Sequence, residues 1–352
     1  MGKINAMRKI KSVLTGSLAG FSIRKCSVFP TWLGLLGVLK IFLLLPLQSG
    51  AQQAMLSSLG MLNSFQWNPA FAGIQGKIGA NLGTRLQWTG LEGAPLTQVA
   101  NFHAPVEILG GGMGFKLEND AIGAAQTLRA MIAYNYHLPL GEGLLGLGIG
   151  VGTVRRILDG SKLRTPEGSY LDNFSDHRDA LLAFGSMQGA APVVDAGVYY
   201  QGPRFEAGFS MSNINRPGIG MGSFQWAEVP VFFANASFNL DISQSFSVKP
   251  SLWARGDRTQ VQTDFALIFQ YRNNISAGAS LRGYDSNSLD ALAFIAGFQL
   301  SEKLRLAYSW DWTLSALQQV SSGSHELLLT YSLSRAFGRL RLPPIIYNPR
   351  NL

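Results

Sequence analysis

Residues 261–271 read Val-Gln-Thr-Asp-Phe-Ala-Leu-Ile-Phe-Gln-Tyr. In an extended chain, successive side chains point to opposite faces. Phe265 and Phe269 therefore fall on one face of this stretch, whereas Asp264 and Gln270 fall on the other. Alternation with a period of two residues predicts a β-strand with one apolar and one polar face.

The same alternation recurs about fourteen times, and it is clear in residues 128–138 and 304–312. The stretches are about 8–12 residues long, the length that a tilted strand needs to cross a bilayer. We therefore predict an all-β fold, a single antiparallel transmembrane β-barrel of about 14 strands. The predicted strands are 77–88, 97–105, 110–118, 127–138, 143–154, 193–200, 205–211, 231–240, 246–253, 260–271, 274–281, 290–300, 304–312 and 325–333.

The connections between these strands alternate between short turns and longer loops. Residues 201–204 and 272–273 are short turns, whereas 155–192 and 212–230 are the longest loops. Tight turns on one side and long loops on the other are typical of outer-membrane barrels, whose tight turns are periplasmic. A soluble β-sandwich or a periplasmic barrel is the alternative that alternation leaves open.

The formal net charge of +8 over 352 residues arises at the N-terminus. Residues 1–51 hold 7 of the 29 lysines and arginines and none of the 21 acidic residues, which leaves 22 against 21 in the remainder. A basic start, the apolar stretch 32–47 and the small residues 49–51 predict a secretory signal peptide. An uncleaved membrane anchor is the alternative. A nearly neutral remainder argues against nucleic-acid binding, and a lone cysteine, Cys26, excludes a disulfide framework.

Four regions follow from these patterns. We predict a signal peptide at 1–51, an N-terminal segment at 52–76 that is either periplasmic or a plug in the lumen, an outer-membrane β-barrel at 77–333, and a periplasmic tail at 334–352. No apolar run long enough for a membrane-spanning helix follows the signal peptide. The predicted location is the outer membrane of a Gram-negative bacterium.

A long motif starts in the first predicted strand. Residues 85–98 read Arg-Leu-Gln-Trp-Thr-Gly-Leu-Glu-Gly-Ala-Pro-Leu-Thr-Gln. Residues 68–73 read Asn-Pro-Ala-Phe-Ala-Gly, 119–123 read Asn-Asp-Ala-Ile-Gly, and 323–326 read Gly-Ser-His-Glu. In order and spacing, these motifs resemble those of the PorP/SprF family. The residues that carry the resemblance are Asn68, Pro69, Gly73, Arg85, Gln87, Trp88, Gly90, Gly93, Pro95, Thr97, Gln98, His103, Asn119, Asp120, Asp311, His325 and Glu326.

The resemblance implies an accessory outer-membrane barrel of the type IX secretion system, which is also associated with gliding motility. Its implied partners are outer-membrane lipid, periplasmic and other type IX secretion components, and a secreted cargo adhesin with a type IX sorting domain, attached at the cell surface. It implies neither catalysis nor a cofactor. The loop 155–192 looks individual to this chain, so a preference for one cargo does not transfer from the family.

Several charged residues would point into the lumen of such a barrel. They are Arg85, Arg129, Lys249, Asp264, Arg305, Asp311 and Glu326. One interpretation is a polar pathway for a solute, and the other is a set of ion pairs in a plugged barrel. Charges of opposite sign that lie close together favour the ion pairs. The predicted function is therefore a non-enzymatic secretion accessory, and the alternative is a diffusion channel or small-solute transporter.

The sequence predicts no catalytic, cofactor or metal site. The histidines His103, His137, His177 and His325 do not have the spacing of metal ligands. Residues 176–179 read Asp-His-Arg-Asp, which we interpret as a solvated charge cluster in the longest loop. No G-x-S-x-G motif, which a serine hydrolase of the α/β type would need, is present.

Overall fold

The structure is a computed structural model, and it describes residues 55–171, 174–178, 185–222, 224–272, 274–284 and 288–334. The predicted signal peptide and all but the first residue of the predicted C-terminal tail lie outside the described residues. Within these ranges, no helix is long and apolar enough to cross a membrane.

Fourteen antiparallel strands of the described residues form one closed sheet, which confirms the predicted barrel, and the two-residue strand Leu240–Asp241 adds to it beside Ser247 and Val248. Each strand pairs with its neighbours in sequence, and the last pairs with the first, from Ile78 opposite Leu333 to Leu86 opposite His325. A closed ring pairs backbone polar groups without leaving an edge, as a sheet in lipid requires. The strands are β1 Ile78–Leu86, β2 Leu96–Val106, β3 Gly111–Ile122, β4 Ala125–Leu140, β5 Gly143–Asp159, β6 Ser186–Gln201, β7 Phe205–Ser212, β8 Val231–Phe238, β9 Phe246–Gly256, β10 Val261–Tyr271, β11 Ile275–Tyr284, β12 Ser288–Gln299, β13 Leu304–Thr313 and β14 Ser324–Leu333.

The two faces of the strands follow the alternation in the sequence. In β10, Phe265 and Phe269 are 54% and 50% exposed on the outside of the barrel, whereas Asp264, which points into the lumen, is 6% exposed. Large apolar side chains are exposed in the same way on most other strands. An outward apolar surface of this kind is what lipid chains contact.

Three strands are much longer than a bilayer requires, and each of them extends beyond its predicted bounds. β4, β5 and β6 have 16, 17 and 16 residues, and 17 residues correspond to about 55 Å of strand, whereas the apolar band of an outer-membrane barrel is only about 25 Å tall. The predicted bounds of the loop 155–192 are wrong, because 155–159 and 186–192 belong to β5 and β6. Arg155 pairs there with Ala190, so ladder pairing overrides a small-residue sequence that has weak strand propensity. The connections 123–124, 257–260 and 285–287 are also shorter than expected.

Two hairpins lie within the long loops. One pairs Ser169–Leu171 with Phe174–Asp176, and the other pairs Gly218–Met221 with Phe224–Ala227. In the second hairpin, the fully buried Ile219 belongs to the same apolar cluster as Met131, Val154 and Val193 of β4, β5 and β6. We call the long-loop ends of β4–β6 together with this hairpin the high wall.

Residues 55–77, which we call the inner segment, lie inside the ring of strands. They contain three short helical turns, Gly60–Leu62, Ser64–Trp67 and Pro69–Phe71. Asn68 Nδ2 donates to the carbonyl oxygen of Val198 on β6 at 2.9 Å, and the Ser58 N–H donates to Glu326 on β14 at 2.7 Å. The inner segment thus contacts distant parts of the barrel wall.

Glycines let the wall approach the inner segment. A Cβ atom added to Gly112 would lie 2.1 Å from the carbonyl oxygen of Ala72, and one added to Gly148 would lie 2.2 Å from the backbone nitrogen of Ala70. These contacts are shorter than any Cβ can make, so β3 and β5 need glycine where they face this segment.

Candidate functional site: the charged lumen

Five buried charged side chains meet on one side of the lumen, and we call them the lumen cluster: Arg85, Asp264, Arg282, Asp311 and Glu326. Arg85 places Nη2 2.7 Å from Asp311 Oδ2 and Nη1 3.1 Å from Glu326 Oε2. Arg282 places Nε 2.7 Å from Asp264 Oδ1 and Nη1 3.0 Å from Asp311 Oδ2. None of the five residues is more than 8% exposed.

Strand register brings these residues together. Arg85 on β1 stands directly opposite Glu326 on β14, and Asp264 on β10 stands opposite Arg282 on β11. Side chains opposite each other in an antiparallel pair have Cβ atoms about 5 Å apart. Asp311 on β13 accepts from both arginines and so joins the two pairs.

The inner segment completes the hydrogen bonds of the lumen cluster. Ser57 Oγ donates to Glu326 Oε1 at 2.5 Å, and Ser58 Oγ donates to Asp311 Oδ2 at 2.7 Å. Arg282 Nη2 in turn donates to Ser58 Oγ at 2.7 Å. The cluster therefore holds the start of the described chain against the wall.

A third arginine balances the charge of the cluster. Arg255 Nη1 donates to the carbonyl oxygen of Met55 at 2.7 Å, and its Nη2 lies 3.9 Å from Asp264 Oδ2. Three arginines then face three carboxylates. Because buried ions are tolerated only when they are paired and hydrogen-bonded, a neutral group of this kind can persist in the lumen.

A second group of charges lies on the β3–β6 side. Lys116 Nζ lies 3.3 Å from Asp195 Oδ2 and donates to the carbonyl oxygen of Gln66 at 3.0 Å. Arg129 Nη1 lies 3.3 Å from Asp195 Oδ1, and its Nη2 donates to Asn213. This group thus ties the inner segment to β3 and holds the start of the loop 213–230.

A small cavity lies beside the second group, toward the long loops. Its volume is about 110 Å³, and Glu118, Asp120, Arg156 and Glu228 contribute to its lining. Arg156 Nε lies 2.7 Å from Glu228 Oε1. Glu118 accepts from Gln66 Nε2 at 3.0 Å, and Asp120 accepts from Thr97 Oγ1 at 2.5 Å.

A much larger cavity lies at the other end of the barrel, near the tight turns. Its volume is about 670 Å³, and we call it the tight-turn vestibule. Within it, Lys249 pairs with Glu206, which also accepts from the Tyr199 hydroxyl at 3.0 Å. Arg305 Nε donates to Gln299 Oε1 at 3.1 Å.

The structure brings together only some of the charges expected in the lumen. Arg85, Asp264, Asp311 and Glu326 meet in the lumen cluster, whereas Arg129 lies in the second group and Lys249 and Arg305 lie in the tight-turn vestibule. Their partners Lys116, Asp195, Glu206 and Arg282 were not predicted from the sequence. Arg282 lies one residue beyond the predicted end of its strand at 281. Because side chains two residues apart point to the same face, Arg282 shares the inward face of Ser280, and a strand extended by one residue would have included it.

Signature residues in the inner segment and on β2 fix the path of this segment. The Asn68 side chain accepts from the Ala70 N–H at 2.9 Å, which caps the turn that Pro69 begins. Gly73 has a φ of 68°, in the left-handed region, and its N–H donates to His103 Nδ1 at 3.3 Å.

Other signature residues organise the first long loop, 87–95. Gly90 and Gly93 have φ angles of 101° and 71°, and Trp88, at φ 52°, donates its N–H to Ser324 Oγ at 3.1 Å. The remaining contacts are Gln87 N–H to the Pro95 carbonyl, Thr97 to Asp120, Asn119 to Gln98, and Tyr308 with His325. These contacts join β1, β2 and β3 at the loop end.

In the described ranges, no group of three or more His, Cys, Asp or Glu side chains could hold a metal ion. His177 is buried, and its Nδ1 lies 3.0 Å from the Tyr170 hydroxyl within the first loop hairpin. Asp176 accepts from the backbone N–H of Arg178 at 2.9 Å. Asp179, the last member of that predicted charge cluster, lies outside the described residues.

Comparisons with known proteins identify one matching family and several solved structures of low sequence identity. A family model described as type IX secretion system membrane protein PorP/SprF matches residues 49–331. No individual curated protein sequence matches. Among solved structures, the toluene transporters TbuX of Ralstonia pickettii and TodX of Pseudomonas putida align at 12% and 9% identity. Both alignments have a TM-score of 0.46 and cover 81% of this chain, with 96% and 95% of those chains. Omp33 of Acinetobacter baumannii aligns at 8% identity and a TM-score of 0.40, over 73% of this chain and 97% of that chain.

Proposed function

The chain belongs to the PorP/SprF family of type IX secretion system membrane proteins, and on this premise we propose that it is a non-enzymatic accessory that holds a secreted cargo adhesin at the cell surface. It is a multi-pass β-barrel of the outer membrane. The cargo would carry a type IX sorting domain, and other secretion components would contact the periplasmic, tight-turn end.

The observation that carries the proposal is the inner segment across the lumen. Buried hydrogen bonds attach it to β14 through Ser58 and to β6 through Asn68. A lumen that is occupied by a hydrogen-bonded segment suits a rigid support better than a pathway for solutes. Partners would therefore bind at the loops and the turns. A channel would require this segment to leave, which would remove the hydrogen bonds that Ser57 and Ser58 donate to Glu326 and Asp311.

The high wall supports cargo binding at the loop end. Loops on a rigid scaffold commonly carry recognition, and here the scaffold itself extends beyond the length that a bilayer needs. The buried Ile219 fixes the hairpin 218–227 to this extension. The described residues 160–171 and 174–178, in the loop that joins β5 to β6, would then be presented to a cargo well above the membrane.

Co-purification tests the proposal. The full-length chain, tagged and extracted from its own outer membrane, should retain one large secreted protein with a type IX sorting domain. Replacing residues 161–184 by a short glycine–serine linker should abolish that retention, whereas the same replacement of 315–321 should preserve it. Equal recovery of the cargo with both variants, or no cargo with the unaltered chain, would contradict cargo binding through the long loop.

A further inference from the structure

The tight-turn vestibule has a closed floor and an open mouth. Residues 61–64 of the inner segment and the buried Phe71 line it on the lumen side. Lys303, in the turn between β12 and β13, and Asn274, in the turn between β10 and β11, line it at the rim, and both are exposed. A volume of about 670 Å³ lies within the range of about 300–1,000 Å³ that is typical of ligand pockets.

Positive charge is in excess in this vestibule. Its charged lining residues are Lys77, Glu206, Lys249, Glu302, Lys303 and Arg305. Lys249 and Glu206 pair with each other. Among the described residues, no carboxylate lies within ion-pair distance of Lys77, Lys303 or Arg305. The acidic Glu302 offsets only one of these three charges, so the mouth attracts anions.

Amide side chains supply most of the remaining polar surface. They belong to Asn63, Gln75, Asn81, Gln270, Asn274 and Gln299. Each amide both donates and accepts hydrogen bonds, as the backbone of an extended peptide does. Phe71 and His103, the aromatic side chains of the described lining, are both buried, so the lining exposes no aromatic face on which a sugar ring could stack. The lining therefore favours a peptide over a glycan.

We propose that the tight-turn vestibule binds an extended acidic peptide segment of a partner protein that reaches it from the periplasm. Carboxylates of the segment pair with Lys303, Arg305 and Lys77, and its backbone bonds to the amides. The inference rests on the proposed function only for the periplasmic orientation of the tight turns.

Fluorescence anisotropy with labelled hexaglutamate tests the site in the purified full chain in nanodiscs. Hexaglutamate should bind, hexaglutamine should bind at least about tenfold more weakly, and added salt should weaken the acidic peptide. The double variant Lys303→Glu/Arg305→Glu should lose about tenfold or more in affinity. Lys162→Glu, at an exposed lysine in the loop at the opposite end, should bind as the unaltered chain does.

Three outcomes would overturn the assignment. They are equal binding of hexaglutamine, an equal loss in Lys162→Glu, and binding of a muramyl dipeptide in place of hexaglutamate, which would assign the cavity to cell-wall fragments. Heat-modifiable mobility on gels verifies that each variant is folded. The peptide assay contains no cargo, so a negative result in it would not contradict cargo binding at the loop end. A loss of cargo retention would likewise not contradict peptide binding in the vestibule.

Discussion

Arg282 is the side chain on which the lumen cluster depends most. It pairs with Asp264 and Asp311 and also donates to Ser58 Oγ, so one guanidinium joins two parts of the wall to the inner segment. A guanidinium suits this place because its planar array of donors can serve several acceptors at once.

Replacing this arginine should destabilise the barrel strongly. Arg282→Met leaves two buried carboxylates short of a partner, and we expect the free energy of unfolding to fall by about 3–5 kcal/mol. Urea unfolding in lipid vesicles, followed by tryptophan fluorescence, measures the change. Arg305→Met, which removes one hydrogen bond to Gln299, should cost about 1 kcal/mol. Equal losses in the two variants would contradict the central role of Arg282.

Glycine positions give a second prediction at this scale. Gly148→Ala forces a Cβ against the Ala70 backbone, which no side-chain rotation can relieve. We expect a loss of about 1–3 kcal/mol in the free energy of unfolding, as in overpacked cores. Gly220→Ala, where an added Cβ meets nothing within 4 Å, is the matched control. If both variants were equally stable, the close approach of β5 to the inner segment would be wrong.

The sequence predicts which way a charged residue points but not what it meets. Alternation places Asp264 and Asp311 on the inward face, and the structure agrees. Ser58, which donates to Asp311, is separated from it by 253 positions, and no local pattern encodes such a contact. The spacing of side chains along one strand has no information about a segment that crosses the lumen from elsewhere in the chain.

At the scale of the elements, the strands were predictable and their loop ends were not. All fourteen were predicted because lipid on one side and polar lumen on the other impose a strict period of two. Beyond the membrane that constraint ends, so β5 and β6 continue through 155–159 and 186–192 without clear alternation. The hairpin Gly218–Met221 with Phe224–Ala227 was missed for the same reason, since its apolar side chains cover the wall rather than face lipid.

The hairpin of the high wall should be released by one substitution. Ile219→Asp puts a charge into the apolar cluster that holds the hairpin, and we expect chymotrypsin to cleave the folded protein at Trp226. Ile214→Asp, at a residue that is 40% exposed, should leave the peptide bond after Trp226 resistant to chymotrypsin. Mass spectrometry of the fragments identifies the site. Cleavage of neither variant, or of both, would show that Ile219 does not fix the hairpin.

At the scale of the whole molecule, the inner segment divides the lumen. A cavity of about 110 Å³ lies toward the long loops, and one of about 670 Å³ lies toward the tight turns. Between them, the segment is bonded to β6, β13 and β14. A barrel divided in this way can present separate surfaces to the two sides of the membrane, as the proposed cargo site and the proposed peptide site require.

Single-channel recording in planar bilayers tests this division most directly. The unaltered protein should insert without steady ohmic current steps, because Ser58 and Asn68 hold the inner segment across the lumen. A variant that lacks residues 55–76, with its fold verified by heat-modifiable mobility, should give steady steps of porin size. Steady, porin-sized conductance from the unaltered protein would contradict the account and would favour a diffusion channel instead.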